Sequence, residues 1–473
     1  MEIKLYNTMT RRVETFEPIV PGEASFYSCG PTVYHFAHIG NLRTYVSADI
    51  MKRMLLANGY KVRHVMNITD VGHLTSDSDV GEDKMEKGAK RDGKSVWDVA
   101  KFYTDAFMRD VLDLNIIPPM QYTKATDYIA EQIDLVKRLE KSGYTYKIDG
   151  DGIYYDTSKF KDYGRLGHQS LDELKAGARV DWVEGKRNAP DFALWKFSPK
   201  DEKRQMEWNS PWGVGFPGWH IECSAMSLKL LGERLDIHSG GVDHIKVHHT
   251  NEIAQTEPVV GHKWVNYWVH MEHLNDATGK MSKSKGEFLT LPLLKERGYS
   301  PMAYRYYLML ASYRSQIDFS FESLDAAANA YNNLARRVAN LLDADGEPDA
   351  EVLAAIKTRA MEHLNNDLGT PGAVVVLQEA LKDGKIDDVT KLGIVKFFDS
   401  VLGLKLYDDA VSLNGETEVH VDGKVLRLVE ERAAAKEAKD YAKADELRRQ
   451  IESMGYVLED AKDGVKVKKK PVF

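Results

Sequence analysis

The first 120 residues alternate between strand and helix signals, and this alternation restricts the fold more than any other property of the sequence. Residues 24–29 form a short apolar run stopped by Gly30-Pro31. After a loop, His38-Ile39-Gly40-Asn41 opens an amphipathic helix that continues through Met51 and Leu56 and ends at Asn58-Gly59. Residues 61–68, rich in Val, Met and Ile, read as the next strand. Strands joined through helices pair in parallel and are covered by those helices. The spacing therefore predicts an α/β fold of Rossmann type, with a nucleotide-binding half at its start.

The pattern then breaks. Residues 122–201 are charged segments with scattered aromatics, and helix and strand signals return at 219–230 and 235–238. We read the middle block as an insertion into the first domain. The expected division is a split Rossmann domain at 1–120 and 215–265, an insertion at 121–214, a further unit at 266–320, an α-helical bundle at 321–408 and a small C-terminal region at 409–473. Leu334, Val338, Leu341 and Leu342 mark the bundle by their helical spacing. Residues 411–421 read as a linker, 426–454 as a charged helical hairpin or one long helix, and 462–470 as a basic tail with five lysines and one aspartate.

Composition narrows the class. A length of 473 residues is enough for about three domains. Two cysteines, Cys29 and Cys223, cannot build a disulfide framework, the N-terminal residues lack a secretory pattern, and no apolar run approaches the length needed to cross a bilayer. These features predict a soluble protein of the reducing cytoplasm. The formal net charge of -8 argues against a uniformly nucleic-acid-binding surface but leaves local basic patches open.

Four motifs bear on chemistry. Gly213-Val214-Gly215-Phe216-Pro217-Gly218 matches the dinucleotide pattern G-x-G-x-x-G, but a proline sits inside it and Trp208-Asn209-Ser210-Pro211 precedes it, so a nicotinamide site is disfavoured. No phosphate-binding loop of the G-x-x-x-x-G-K-[ST] type is present. His38-Ile39-Gly40-Asn41 falls at a loop-to-helix junction, where backbone N–H groups and an imidazole can hold phosphate oxygens; the plainer reading is a helix cap. Lys280-Met281-Ser282-Lys283-Ser284 follows a turn signal, and two lysines three apart on a loop can cover the β- and γ-phosphates of ATP.

The fourth signal concerns metal. Eight of the 15 histidines lie between His220 and His273, in the region that also holds Cys223. His248 and Glu252, four apart, share one helical face, and with Cys29 and Cys223 they make a set suited to Zn²⁺. His238, His244 and His249 are rival ligands that spacing does not exclude, and both cysteines also suit a plain apolar core.

With these residues in view, the chain resembles the class I cysteinyl-tRNA synthetases over nearly its whole length. The likeness rests on Cys29-Gly30-Pro31-Thr32-Val33-Tyr34, the HIGH-type turn at His38–Asn41, Asn67-Ile68-Thr69-Asp70, Asp191-Phe192-Ala193-Leu194-Trp195-Lys196, Gly218-Trp219-His220-Ile221-Glu222-Cys223, His248-His249-Thr250-Asn251-Glu252 and the KMSKS loop. The resemblance implies ATP-dependent ligation of L-cysteine to tRNA(Cys) through a cysteinyl-adenylate. It implies Zn²⁺ on Cys29, Cys223, His248 and Glu252, cysteine contacts from Thr69, Trp219 and Asp243, and ATP with Mg²⁺ handled by His38, Gly40, Asn41, Lys280 and Lys283. Of these, His38, Lys280 and Lys283 are the expected catalytic groups. It further implies a connective insertion at 121–214, a stem-contact fold at 266–320, an anticodon-binding region at 409–473 and a monomer.

The chain departs from the family pattern at Asn41, where a second histidine is expected, at Thr250, where an acidic residue is expected, and over residues 71–83, which are longer and more acidic. Two other readings share the core. One is a ligase that passes activated cysteine to an aminosugar and lacks a tail like 426–470. The other is an RNA-binding paralogue with a decayed site, which the intact zinc set and both lysines disfavour.

Overall fold

The computed structural model describes all residues except 73–82, 170–182, 200–203, 277–278, 281–288, 416–422, 439, 455, 462–463 and 470–473. At its centre is a five-stranded sheet in the order Val265–Met271, Leu235–Gly241, Glu23–Ser28, Lys61–Ile68, Gln121–Lys124, with every neighbouring pair parallel. The expected first unit is present: Glu23–Ser28, then helix α1 (Ile39–Ala57), then Lys61–Ile68. Two further helices, α2 (Lys84–Asp92) and α3 (Val96–Asp113), lead to the edge strand Gln121–Lys124.

Helix α1 differs from the expected amphipathic helix. It buries 13 of its 19 residues, including Arg43, Asp49, Lys52 and Arg53. Its polar face is covered by the helical part of the chain: Arg53 donates to the Ser400 carbonyl at 2.9 Å, and Arg305 donates to Asp49, to Leu402 O at 2.8 Å and to Leu114 O at 2.8 Å. Charges there are tolerable because carboxylate and carbonyl acceptors surround them.

Between the two halves of the central sheet, helix α4 (Ile129–Lys141) precedes a second, antiparallel sheet in the order Thr145–Ile148, Gly152–Tyr155, Phe192–Phe197, Gly213–Pro217, Trp208–Ser210. The G-x-G-x-x-G match belongs to this sheet. Gly213–Pro217 is a strand and Gly218 caps the next helix, α5 (Trp219–Leu231), so a strand does precede a helix here. The strand nevertheless pairs antiparallel with its neighbours. A Cβ on Gly215 or Gly218 would strike the backbone carbonyl of Lys196 or Ala193, so these glycines serve close packing of main chains.

Beyond helix α6 (His248–Val260) and the last central strand, the chain is mostly helical from Pro301 onward. The helix Phe321–Ala339 holds Leu334 and Val338 of the predicted helical spacing and buries them on one face with Leu324, Ala327 and Tyr331; Leu341 and Leu342 lie past its end. The expected linker at 411–421 is corrected in part: the helix Leu406–Gly415 occupies its first half, and 416–422 lie outside the described residues. The charged segment at 426–454 forms two helices, Gly423–Glu437 and Tyr441–Ser453. The basic tail is also structured, because Gly464–Lys469 pairs antiparallel with Tyr456–Ala461. Among the described residues, no helix is long and apolar enough to cross a membrane.

Candidate active site and metal centre

The carboxyl ends of the parallel strands are where an open α/β sheet places ligands, and most of the candidate residues gather there. Cys29 follows Glu23–Ser28 directly, Thr69 follows Lys61–Ile68, His238 lies on Leu235–Gly241, and His270 lies on Val265–Met271. Helix α5 contributes Trp219 and Cys223 one turn apart, and α6 contributes His248 and Glu252 one turn apart.

Donor atoms of Cys29, Cys223, His248 and Glu252 all lie within 4.8 Å of one another, and all four residues are buried. A second set, Cys29, His238, His249 and Glu252, meets the same limit. Two of the three rival histidines therefore do reach the centre. The sets share Cys29 and Glu252 and are distinguished by what the other groups touch. His238 Nε2 lies 2.9 Å from Glu252 Oε2, while His249 is bonded on both ring nitrogens, to Cys29 Sγ at 3.3 Å and to His270 Nε2 at 2.7 Å. His248 Nε2 faces Glu252 Oε1 at 3.1 Å, yet Oε1 is buried with no well-aligned hydrogen bond among the described residues. Two sulfurs, an imidazole and a carboxylate oxygen left unsatisfied at their midst fit a Zn²⁺ ion in both donor chemistry and spacing.

The electrostatics agree with that fit. Burial alone would raise Glu252, but the charges of His238 and His248 bring it down to about 2. Burial would lower His248, but the negative charge of Glu252 facing it, with the neighbouring Cys223, lifts it to about 10. Cys223 is brought to about 7 against its burial, by the hydrogen bonds of Cys29 and His248.

Trp219 packs its ring 4.8 Å from that of His248, at the wall of the centre. Thr69 is buried and donates to Glu222 Oε2 at 2.9 Å; Asn67 Nδ2 in turn donates to Thr69 Oγ1 at 3.1 Å. Asp243 lies on the short helical turn Val242–His244 beyond Leu235–Gly241. Glu222 and His270 were missed in the sequence. The crowding of histidines gave a signal for His270, while nothing local marks a glutamate whose role is to face Thr69.

The turn at His38 is a helix cap by its hydrogen bonds. His38 Nδ1 accepts from Asn41 N at 3.1 Å, and Asn41 Oδ1 accepts from His38 N at 3.3 Å. A Cβ on Gly40 would sit 3.0 Å from the His38 ring, so glycine lets the imidazole lie over the helix start. This turn also meets both stems of the lysine loop. Ile39 N donates to Leu289 O at 2.9 Å on the far side of the loop, and Gly40 faces Leu274 O on the near side. Lys280 pairs through its backbone with Asn275, and Lys283 lies outside the described residues.

Comparison with known proteins agrees with this architecture. The family model for the class I (C) tRNA synthetase catalytic domain matches residues 15–329. A cysteine–tRNA ligase of Treponema denticola is 48% identical, over 97% of this chain and 98% of its own. The cysteine–tRNA ligase 1 of Burkholderia lata is 50% identical, over 98% and 96%. Among solved structures, Mycobacterium tuberculosis methionyl-tRNA synthetase bound by methionyl-adenylate shares the fold with a TM-score of 0.56 at 16% identity, covering 84% of this chain and 95% of that one. The family match over 15–329, on a parallel sheet with a capped helix turn after its first strand, defines a class I aminoacyl-tRNA synthetase. Within that class, the chain belongs to the cysteine–tRNA ligase family.

Proposed function

We propose that the protein joins L-cysteine to tRNA(Cys) in two steps, through a cysteinyl-adenylate, with Zn²⁺ held by Cys29, Cys223, His248 and Glu252. The observation that carries this reading is the buried four-donor cluster walled by Trp219, at the strand ends of a class I fold. When bound, Zn²⁺ supplies a soft ligand site that a substrate thiolate satisfies and a serine hydroxyl does not. That difference exceeds the roughly 1–3 kcal/mol available from shape alone.

The chain's own residues carry the remaining work. Trp219, Thr69 and Asp243 surround the amino acid and orient its carboxylate. That group is already a nucleophile, so activation needs positioning more than proton transfer. His38, Gly40 and Asn41 meet ATP at the start of α1, where backbone N–H groups favour phosphate. Lys280 and Lys283 stabilise the negative charge that builds on departing pyrophosphate, with Mg²⁺ accompanying the nucleotide. Contact of the His38 turn with both stems of the lysine loop supports their acting on one triphosphate. A hydroxyl of the terminal ribose of the tRNA then takes the cysteinyl group, while 409–473 reads the anticodon end. We assign the protein to the cytoplasm, as a monomer.

The test is cysteine-dependent ATP–pyrophosphate exchange together with charging of a tRNA(Cys) transcript. Both are expected. Exchange without aminoacyl-tRNA, but with cysteine transfer to glucosaminyl-inositol, would overturn the assignment of the acceptor.

A further inference from the structure

Helix α2 and the aromatic residues beside it form a surface that the chemistry above leaves unused. Residues 84–94 carry five cations, Lys84, Lys87, Lys90, Arg91 and Lys94, against Glu86 and Asp92, in a chain whose formal net charge is -8. Met85, Gly88 and Ala89 are buried, at i, i+3 and i+4. Lys87 and Lys90, three residues apart, are exposed on the opposite side of the helix, and Lys94, just past its Gly93 cap, is exposed as well. Arg91 has a structural task, donating to the Tyr34 carbonyl at 2.9 Å and to Tyr103 Oη at 2.8 Å.

The two ends of this surface lead to the two ends of the reaction. At the start of α2, Lys84 Nζ stands 5.0 Å from the centroid of Trp219, at the cysteine pocket. Past its end, Lys94 Nζ stands 4.3 Å from the ring of Phe102, which is 39% exposed. Phe102 in turn meets Phe36 edge-on at 5.9 Å, and Phe36 is two residues from His38. Cations set beside the partly exposed ring of Phe102 suit a flexible single strand of nucleic acid, in which phosphates meet lysines and a base stacks on a ring. A duplex would need no aromatic platform, and a membrane surface would need a broad apolar face.

We propose that Lys87, Lys90, Lys94 and Phe102 bind the unpaired 3′ end of the tRNA and guide it to Trp219. This rests on the cysteine–tRNA ligase reading, since only that reaction brings such a strand to the site. The test compares wild type, Lys87→Glu/Lys90→Glu/Lys94→Glu and Phe102→Ala, using a tRNA(Cys) transcript with and without its unpaired 3′ nucleotides. For the full transcript, each variant should bind about tenfold more weakly or worse, with a shallower salt dependence for the lysine variant. On the truncated transcript, the variants should bind as wild type does. Cysteine-dependent pyrophosphate exchange without tRNA should be unchanged, which also reports correct folding. Equal losses on both transcripts, or no loss on either, would overturn the proposal while leaving the reading of the enzyme intact. Absence of exchange in the wild type would instead defeat that reading.

Discussion

His238 Nε2 lies 2.9 Å from Glu252 Oε2, on the carboxylate oxygen that does not face His248. The carboxylate is thus gripped from behind while its other oxygen points into the donor cluster. Groups that hold a metal ligand from behind fix its orientation, and losing one typically weakens metal binding 10- to 100-fold. His238→Ala should show a loss of about that size in zinc affinity, measured by competition with a chelator. An unchanged affinity would mean that Glu252 is held by the fold alone.

Cys223→Ser tests the cluster directly. A serine hydroxyl is a far poorer zinc ligand than a thiolate, so zinc content and cysteine-dependent exchange should fall together, the latter by about 100-fold or more. Full metal content by elemental analysis would remove Cys223 from the set.

Lys283→Ala should separate binding from chemistry. If this lysine meets charge that develops only as pyrophosphate leaves, adenylate formation slows about 100-fold or more with little change in cysteine affinity. Pre-steady-state adenylate formation measures both, and a pure affinity defect would contradict the role.

Arg305 joins the helical bundle to α1 through Asp49, with neither side chain accessible to solvent. Gly403, at φ +67°, leaves room for it, since a Cβ there would lie 2.6 Å from Arg305 Nη2. Arg305→Leu leaves the buried Asp49 carboxylate to Arg53 and the Ile117 N–H and strands the Leu402 and Leu114 carbonyls. It should cost about 3–5 kcal/mol in urea unfolding, whereas a loss under 1 kcal/mol would mean that Arg53, 2.7 Å from the same carboxylate, suffices.

Asp110 gives a pH signature. Burial, with Asp113 adding to it, raises its carboxyl to about 7, against roughly 3.9 in the unfolded chain. Between those values the unfolded state releases a proton that the folded state retains, so this group's contribution to stability falls as pH rises from about 4 to 7. Asp110→Asn should therefore stabilise the protein more at pH 8 than at pH 5, by a difference on the order of 2 kcal/mol. Equal effects at both pH values in thermal unfolding would refute the shift.

Local patterns were legible in the sequence wherever neighbours along the chain decide the outcome. The run 61–68 became a strand with those bounds, α1 begins within a residue of its expected start, and the spacing of Leu334 and Val338 marked a helix face. His248 and Glu252 could be paired because four residues make one helical turn. What could not be read is what depends on distant partners. The antiparallel insertion sheet and the C-terminal strand pair are built from strands of at most six residues, whose alternation is too brief to stand out from charged loops. The inward face of α1 looked solvent-exposed because the acceptors for Arg53, at Asn115 and Ser400, are 62 and 347 positions away.

The candidate metal centre divides in the same way. Sequence supplied candidate donor types, two lone cysteines and a crowd of histidines, which suit a soft divalent ion but equally a plain apolar core. Which histidines stand beside Cys29, and that His238 holds Glu252 from behind, follow only from the parallel register that sets Ser28 against Ser239 and His238 against Tyr27, together with the packing that brings α6 to those strand ends. Ligand identity is a property of side chains and can be read one residue at a time. Ligand geometry is a property of strands and helices brought together by packing, and it exists only in the folded chain.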